Sequence, residues 1–178
     1  MGSDAKKVLM VVAGRDFRDE ECFVPKKILE DGGVEVRIAS DKKGEAIGAE
    51  GGEIAVDLSL NEVDVSDFDA IIFIGGPGAL KHLDNEDSYR LAREAAEKGK
   101  VVAAICVAPA ILAKAGVLSG KKATIWTSPT HRELVKILTE NGARYIDENV
   151  VVDGKMITAN GPSAAGKFGE EVLRAVQL

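Results

Sequence analysis

Cys106 follows the apolar run Val101-Val102-Ala103-Ala104-Ile105 and stands three residues before Pro109, a residue type favoured in the first turn of a helix. The thiol is therefore expected on a tight strand-to-helix elbow. A helix amino terminus presents unpaired N–H groups and partial positive charge, which favour thiolate over thiol and make sulfur nucleophilic near neutral pH. The common alternative is a small buried cysteine that only packs, and the elbow argues against it. Cys22 lies in a helical pattern without such a signal and is expected in the core.

Two further groups could serve that thiol. Gly75-Gly76 ends another apolar run, where the missing side chains let backbone N–H groups approach an oxyanion closely. The N–H groups of Gly76 and Val107 are the expected donors, and Gly75 is expected to line the site. Glu21 sits near the start of the first helix and could reach the same edge. Two adjacent anions in a poorly solvated site are unfavourable. A carboxyl touching the sulfur would therefore share one proton with it, as thiolate with carboxylic acid or as thiol with carboxylate. The charged run Arg15–Glu21 suits a solvated helix face equally well, so both readings of Glu21 stand.

Only His82 and His131 supply imidazole, and both lie outside the elbow. His131 follows Ile125-Trp126 and is read either as reaching the active edge or as an exposed residue at a helix start. Two cysteines without paired spacing suggest neither a disulfide framework nor a zinc site. The glycine-rich segments match neither G-x-G-x-x-G nor a P-loop. No cofactor and no metal are expected.

These residues need a scaffold, and the hydrophobic pattern describes one. Val8–Ala13 and Val34–Ala39 are buried-strand runs separated by a helical stretch over Phe17–Asp31, in which Pro25 should produce a kink or a second start. Gly44–Ile47 and Ile54–Val56 form a short excursion of paired strands. Alternation then resumes with Ala70–Ile74, a helix over Asp87–Lys98, the strand Val101–Ile105, a helix over Pro109–Ala115, the strand Lys122–Ile125 and a helix over about Thr130–Glu140. Asp153-Gly154 marks a hairpin between Asn149–Val152 and Lys155–Ala159, and Ser163 is expected to cap a final amphipathic helix to Val176.

This alternation predicts an α/β fold, a three-layer sandwich with a mostly parallel sheet and helices on both faces. Ligands bind such sheets beyond the carboxyl ends of the strands, which places Gly14–Phe17, Gly75–Leu80, Cys106–Pro109 and Trp126–Pro129 along one edge. The 178 residues read as one domain over 6–178, with 1–5 as a tail. Lys and Arg number 23 against 29 Asp and Glu, so charge offers no reason to bind nucleic acid or an anionic membrane. No apolar run approaches the roughly 20 residues of a membrane helix, and a cytoplasmic location is expected.

The combination resembles the ThiJ/PfpI superfamily over nearly the whole chain. The likeness rests on Val102–Cys106 with Ala108-Pro109, on Gly116-Val117-Leu118, and on Phe68-Asp69-Ala70 leading into Gly75-Gly76. Phe17–Glu21 through Pro25 is similar to the family's first helix, whose glutamate four residues before the proline contacts the nucleophilic cysteine; that residue is Glu21. Asn149–Gly154 and Ala159-Asn160-Gly161-Pro162 look like the family's late hairpin and loop. The resemblance implies a flavodoxin-like sandwich of the class I glutamine amidotransferase type and a homodimer or higher homo-oligomer. It also implies a nucleophile elbow lined in part by Trp126, Asn160 and Pro162.

Departures from the family matter as much. Val107 stands where PfpI-type intracellular proteases carry a histidine, Trp126 where some members carry a histidine, and Asn160 where they carry an arginine. Peptide hydrolysis must protonate a poor amine leaving group, so losing the adjacent imidazole weakens a peptidase more than an enzyme whose thiolate adds to an aldehyde. The leading expectation is a cysteine-dependent, cofactor-independent enzyme of the glyoxalase or deglycase kind, acting on small reactive carbonyls. The alternatives are an oxidative-stress sensor or chaperone that uses Cys106 oxidation, a PfpI-like intracellular cysteine peptidase acting on peptides, and a catalytically retired binding module.

Overall fold

The computed structural model describes residues 4–178, and Met1–Ser3 of the expected tail lie outside the described residues. In chain order the elements are β1 (Lys7–Val11), β2 (Arg15–Phe17), α1 (Asp19–Asp31), β3 (Glu35–Ser40), β4 (Gly44–Gly48), β5 (Glu53–Val56), β6 (Leu58–Ser59), β7 (Ala70–Phe73) and α2 (Ala79–His82). There follow α3 (Glu86–Glu97), β8 (Val101–Ile105), α4 (Pro109–Lys114), β9 (Lys122–Ala123), α5 (Glu133–Glu140), β10 (Arg144–Tyr145), β11 (Val150–Asp153), β12 (Met156–Ala159) and α6 (Ala165–Gln177).

Seven strands form the central sheet in the order β11-β12-β8-β7-β1-β3-β6. All its pairings are parallel except the β11–β12 hairpin. Strands β7 and β8 are buried along their whole length, as is β1 from Val8 onward, because helices cover both faces. Each such Val, Leu or Ile contributes about 1.5–3 kcal/mol through burial. Helices α1 and α6 pack on each other, while α3 and α4 pack together and against β8. Gly169 of α6 lies so close to Pro25 that an added Cβ would meet the proline Cα at 3.0 Å.

After β1 the chain moves to β3 on one side and later to β7 on the other, so the order reverses beside β1. A crevice opens at such a point beyond the carboxyl ends of the strands. The carboxyl ends of β1, β7 and β8 meet there.

Four local expectations are corrected. The stretch expected as one helix from Phe17 begins with β2, which joins β4 and β5 in a small three-stranded sheet, and the helix starts at Asp19. It then runs unbroken through Pro25 to Asp31. The strand expected over Lys122–Ile125 is only Lys122–Ala123, paired with β10 outside the central sheet, because Thr124 N–H already donates to the Thr158 hydroxyl at 2.9 Å. Ser163 does not cap α6: Pro162 begins a 3-10 turn over Pro162–Ala164, so the serine lies inside that turn. Among the described residues no helix is long and apolar enough to cross a membrane.

Candidate active site

Strand β8 ends at Ile105, and Cys106 turns the chain toward α4 with φ of 65°. Side-chain-bearing residues adopt this left-handed conformation at a cost of order 1–3 kcal/mol. The elbow is held from both sides. Cys106 N–H donates to Ala159 O at 2.9 Å, and its carbonyl accepts from Trp126 N–H at 2.8 Å.

The loop after β7 presses against this elbow. A Cβ on Gly75 would lie 2.6 Å from the Cys106 Cβ and 2.7 Å from Glu21 Oε1, so only glycine permits the approach. Gly76 has φ of 117°, and a Cβ there would collide with the Arg18 nitrogen. Gly75 O in turn accepts from Arg18 N–H at 2.9 Å, tying the start of α1 to the loop. Asp16, the other non-glycine residue with positive φ among the described residues, accepts through its carbonyl from Gly78 N–H at 2.9 Å.

Glu21 lies in the first turn of α1, where a carboxylate suits the helix dipole, yet its side chain is fully buried. The solvated-face reading of Glu21 is thereby corrected. Oε1 accepts from Gly75 N–H at 3.1 Å. Oε2 is buried without a hydrogen-bond partner, and the carboxyl and Cys106 meet the same face of Gly75, close enough for each to shift the other's titration.

Burial pushes Glu21 up to about 7, against the opposing pull of the Cys106 thiol, the Arg18 guanidinium and the Gly75 N–H. Burial also pushes the Cys106 thiol up to about 12, reinforced by the charge of the neighbouring Glu21 carboxyl. The N–H groups of Val107 and Gly76 oppose the shift by favouring the thiolate. The expectation that the elbow alone lowers the thiol is therefore corrected: the residue is only 6% exposed, and desolvation outweighs two N–H donors. Between the two limits the pair holds one proton. The sulfur becomes nucleophilic when that proton moves to Glu21.

A cavity of about 280 Å³ opens over the sulfur, lined by Arg18, Gly76, Pro77, Cys106, Val107 and Trp126. Trp126, 37% exposed, stands at its mouth. Gly75 backs the sulfur rather than the wall. His131 lies behind Trp126, with ring centroids 6.2 Å apart, and its Nδ1 is held by Ser128 and Thr130 hydroxyls. Asn160 donates its amide to the Asn149 side chain and Pro162 opens the 3-10 turn, so neither forms the wall. No histidine lines this cavity. Cys22 is fully buried in the core, and burial pushes its thiol up to about 12.

Arg18 and Pro77 are site residues that the sequence pattern did not single out. Arg18 was detectable as a cation immediately before the first helix, three residues ahead of Glu21, where it is the N-cap residue of α1. Among the described residues there is no cluster of three or more His, Cys, Asp or Glu side chains placed to hold a metal ion.

Residues 6–175 match the model of the DJ-1/PfpI family. The chain is 35% identical to Deglycase PfpI of Pyrococcus furiosus, an alignment covering 95% of this chain and 99% of that protein. It is 28% identical to Glutathione-independent glyoxalase DJR-1.2 of Caenorhabditis elegans, over 97% of this chain and 89% of the relative. Among solved structures, the ThiJ/PfpI domain protein from Brachyspira murdochii superposes with a TM-score of 0.92 at 32% identity, covering 98% of each chain.

Proposed function

The chain belongs to the DJ-1/PfpI family, and from that premise we propose that it is a cysteine-dependent enzyme acting on small reactive carbonyl compounds, in the manner of a glyoxalase or deglycase. The observation that carries the proposal is the buried Glu21 carboxyl set beside the Cys106 elbow, against Gly75, at the floor of a small cavity. The names of the two relatives support the same class of chemistry.

With methylglyoxal as substrate, the proton first moves from sulfur to Glu21. The thiolate adds to the aldehyde carbon, forming the S–C bond as the carbonyl π bond opens. The resulting oxyanion takes the proton from Glu21, giving a hemithioacetal, while Gly76 and Val107 N–H groups stabilise the developing charge. Glu21, now a carboxylate, removes the hydrogen on that carbon as a proton and returns it to the neighbouring carbon through an enediolate, while the hydroxyl proton passes from the first oxygen to the second. This gives the thioester of a 2-hydroxy acid. Water cleaves the thioester, so the net reaction is oxoaldehyde plus water to 2-hydroxy acid with the thiol restored.

One carboxyl thus performs each proton transfer and no imidazole is required. A peptidase would have to protonate an amine leaving group, and the cavity wall offers no imidazole for that step. Lactate formation from methylglyoxal tests the proposal: the wild-type protein should produce lactate, with Cys106→Ala and Glu21→Gln reduced to background. Wild-type turnover no faster than a protein-free control overturns it.

A second reading has its own observation. The unpartnered Glu21 Oε2 is a ready donor, once protonated, to an oxygen of an oxidised Cys106. This favours a peroxide sensor built on the same pair.

A further inference from the structure

We propose that Arg18 is the substrate-anchoring residue of this site, and that it makes the site favour carbonyl compounds carrying a carboxylate over neutral ones such as methylglyoxal. The inference rests on the thiol-carbonyl reading for the identity of the electrophile, but the anchor itself is defined by the cavity.

Arg18 is the one charged residue in the wall; Gly76, Pro77, Val107 and Trp126 supply the rest beside the sulfur. A neutral substrate such as methylglyoxal offers a guanidinium hydrogen-bond acceptors but no opposite charge. Among the described residues, the only side-chain partner of Arg18 is Glu50, which meets Nη1 at 3.4 Å. The Glu50 side chain is 64% exposed, so hydration and salt screen this pair. Nε is buried and has no partner. Buried donors are nearly always satisfied, so an orphan beside a cavity points to a group that is supplied on binding.

The free donors also have a shape. With Nη1 turned to Glu50, Nε and Nη2 remain, and their N–H bonds run parallel to form the planar fork that matches a carboxylate with two hydrogen bonds. The backbone beneath is held in place: Arg18 N–H donates to Gly75 O at 2.9 Å, and Arg18 O accepts from Cys22 N–H at 3.2 Å. The fork is therefore positioned by the same loop that supplies the Gly76 donor. A substrate carboxylate on Arg18 would orient the carbonyl carbon of a short molecule toward the sulfur, gaining the rate benefit of a pre-oriented reactant.

Paired alkylating agents test this without requiring any turnover. Iodoacetate and iodoacetamide both lose iodide to the Cys106 thiolate and differ in carrying a carboxylate or a neutral amide. Mass spectrometry of the intact protein would give the rate of each at Cys106. The iodoacetate-to-iodoacetamide ratio should fall about tenfold in Arg18→Met, the size expected when one charge-assisted pair is lost. Arg18→Lys should keep part of the preference; because Arg18 also acts on Glu21, the two rates move together with pH, and only their ratio reads the anchor. In the wild-type protein the ratio should fall with added salt. An unchanged ratio in Arg18→Met overturns the proposal, as does a parallel loss of both rates, which would make Arg18 a determinant of the thiol rather than of the anion. Should a variant fail to fold, the salt series on the unmutated protein decides the matter, and a ratio independent of salt overturns the anchor. Absence of methylglyoxal turnover with an intact Arg18-dependent ratio would overturn the enzymatic reading and leave the anchor standing.

Discussion

Glu21 and Cys106 are both buried against the same face of Gly75, and the two groups therefore titrate as a pair. The acid form of the pair carries two protons, and loss of the first at about 7 creates the state in which one proton can sit on either atom.

Alkylation of Cys106 by iodoacetamide should follow that first titration. The rate is expected to rise as pH passes through about 7 and then to level off, since the second proton is held to about 12. In Glu21→Gln the sulfur loses its proton acceptor, so the plateau should vanish and the rate should keep climbing above pH 9. A wild-type rate that first rises only above pH 9 would contradict the shared-proton account.

Stability should carry the opposite dependence. The folded pKa of Glu21 is raised, so the folded state binds more protons than the unfolded chain between about 4.5 and about 7, and stability falls as pH rises across that window. The loss has an upper limit of about 3 kcal/mol, at about 1.4 kcal/mol for each pKa unit. Glu21→Gln cannot ionise and should flatten this part of the profile. Urea midpoints at pH 4.5, 6 and 8 for the two proteins would show whether the slope belongs to Glu21.

Gly76→Ala places a Cβ against the Arg18 backbone at a φ that alanine tolerates poorly. Steric overlap and backbone strain together should cost about 2–4 kcal/mol. Urea denaturation measures that cost, and retention of full stability would mean that the loop is free to move away from Arg18.

Val107 lines the cavity with an aliphatic side chain. Val107→His introduces an imidazole next to the sulfur, and a protonated imidazole favours thiolate. Iodoacetamide alkylation at pH 6 should then rise about fivefold or more, roughly 1 kcal/mol of added thiolate stabilisation. No change at pH 6 would show that the new ring points away from the sulfur.

Graded peroxide separates Cys106 from Cys22. Cys22 is fully buried in the core and has no access to solvent, whereas Cys106 opens to the cavity. Sulfinate should accumulate on Cys106 first, and Glu21→Gln should lower the yield of that product. Peptide mass spectrometry showing equal oxidation of the two cysteines would remove the sensor reading.

Much of the molecule was legible in the chain itself. Continuous apolar runs at Val8–Ala13, Ala70–Ile74 and Val101–Ile105 read as strands covered on both faces, because they are short, carry β-branched residues and are bounded by turn signals. Gly75-Gly76 and Pro109 then place the thiol between strand and helix. Those are local properties: period, turn chemistry and the conformational limits of glycine and proline. What lay beyond them were facts of distance and solvation. Glu21 reads as part of a charged face until the fold brings Gly75 against it and excludes water. The elbow suggests an activated thiol, while the depth of the sulfur reverses that sign and transfers the task to the carboxyl. Arg18 is one charge among many in sequence, and becomes the cation of the cavity only because its backbone is tied to the loop after β7. Desolvation and long-range contact depend on the whole chain at once, which is why the tertiary structure alone decided how Cys106 can react.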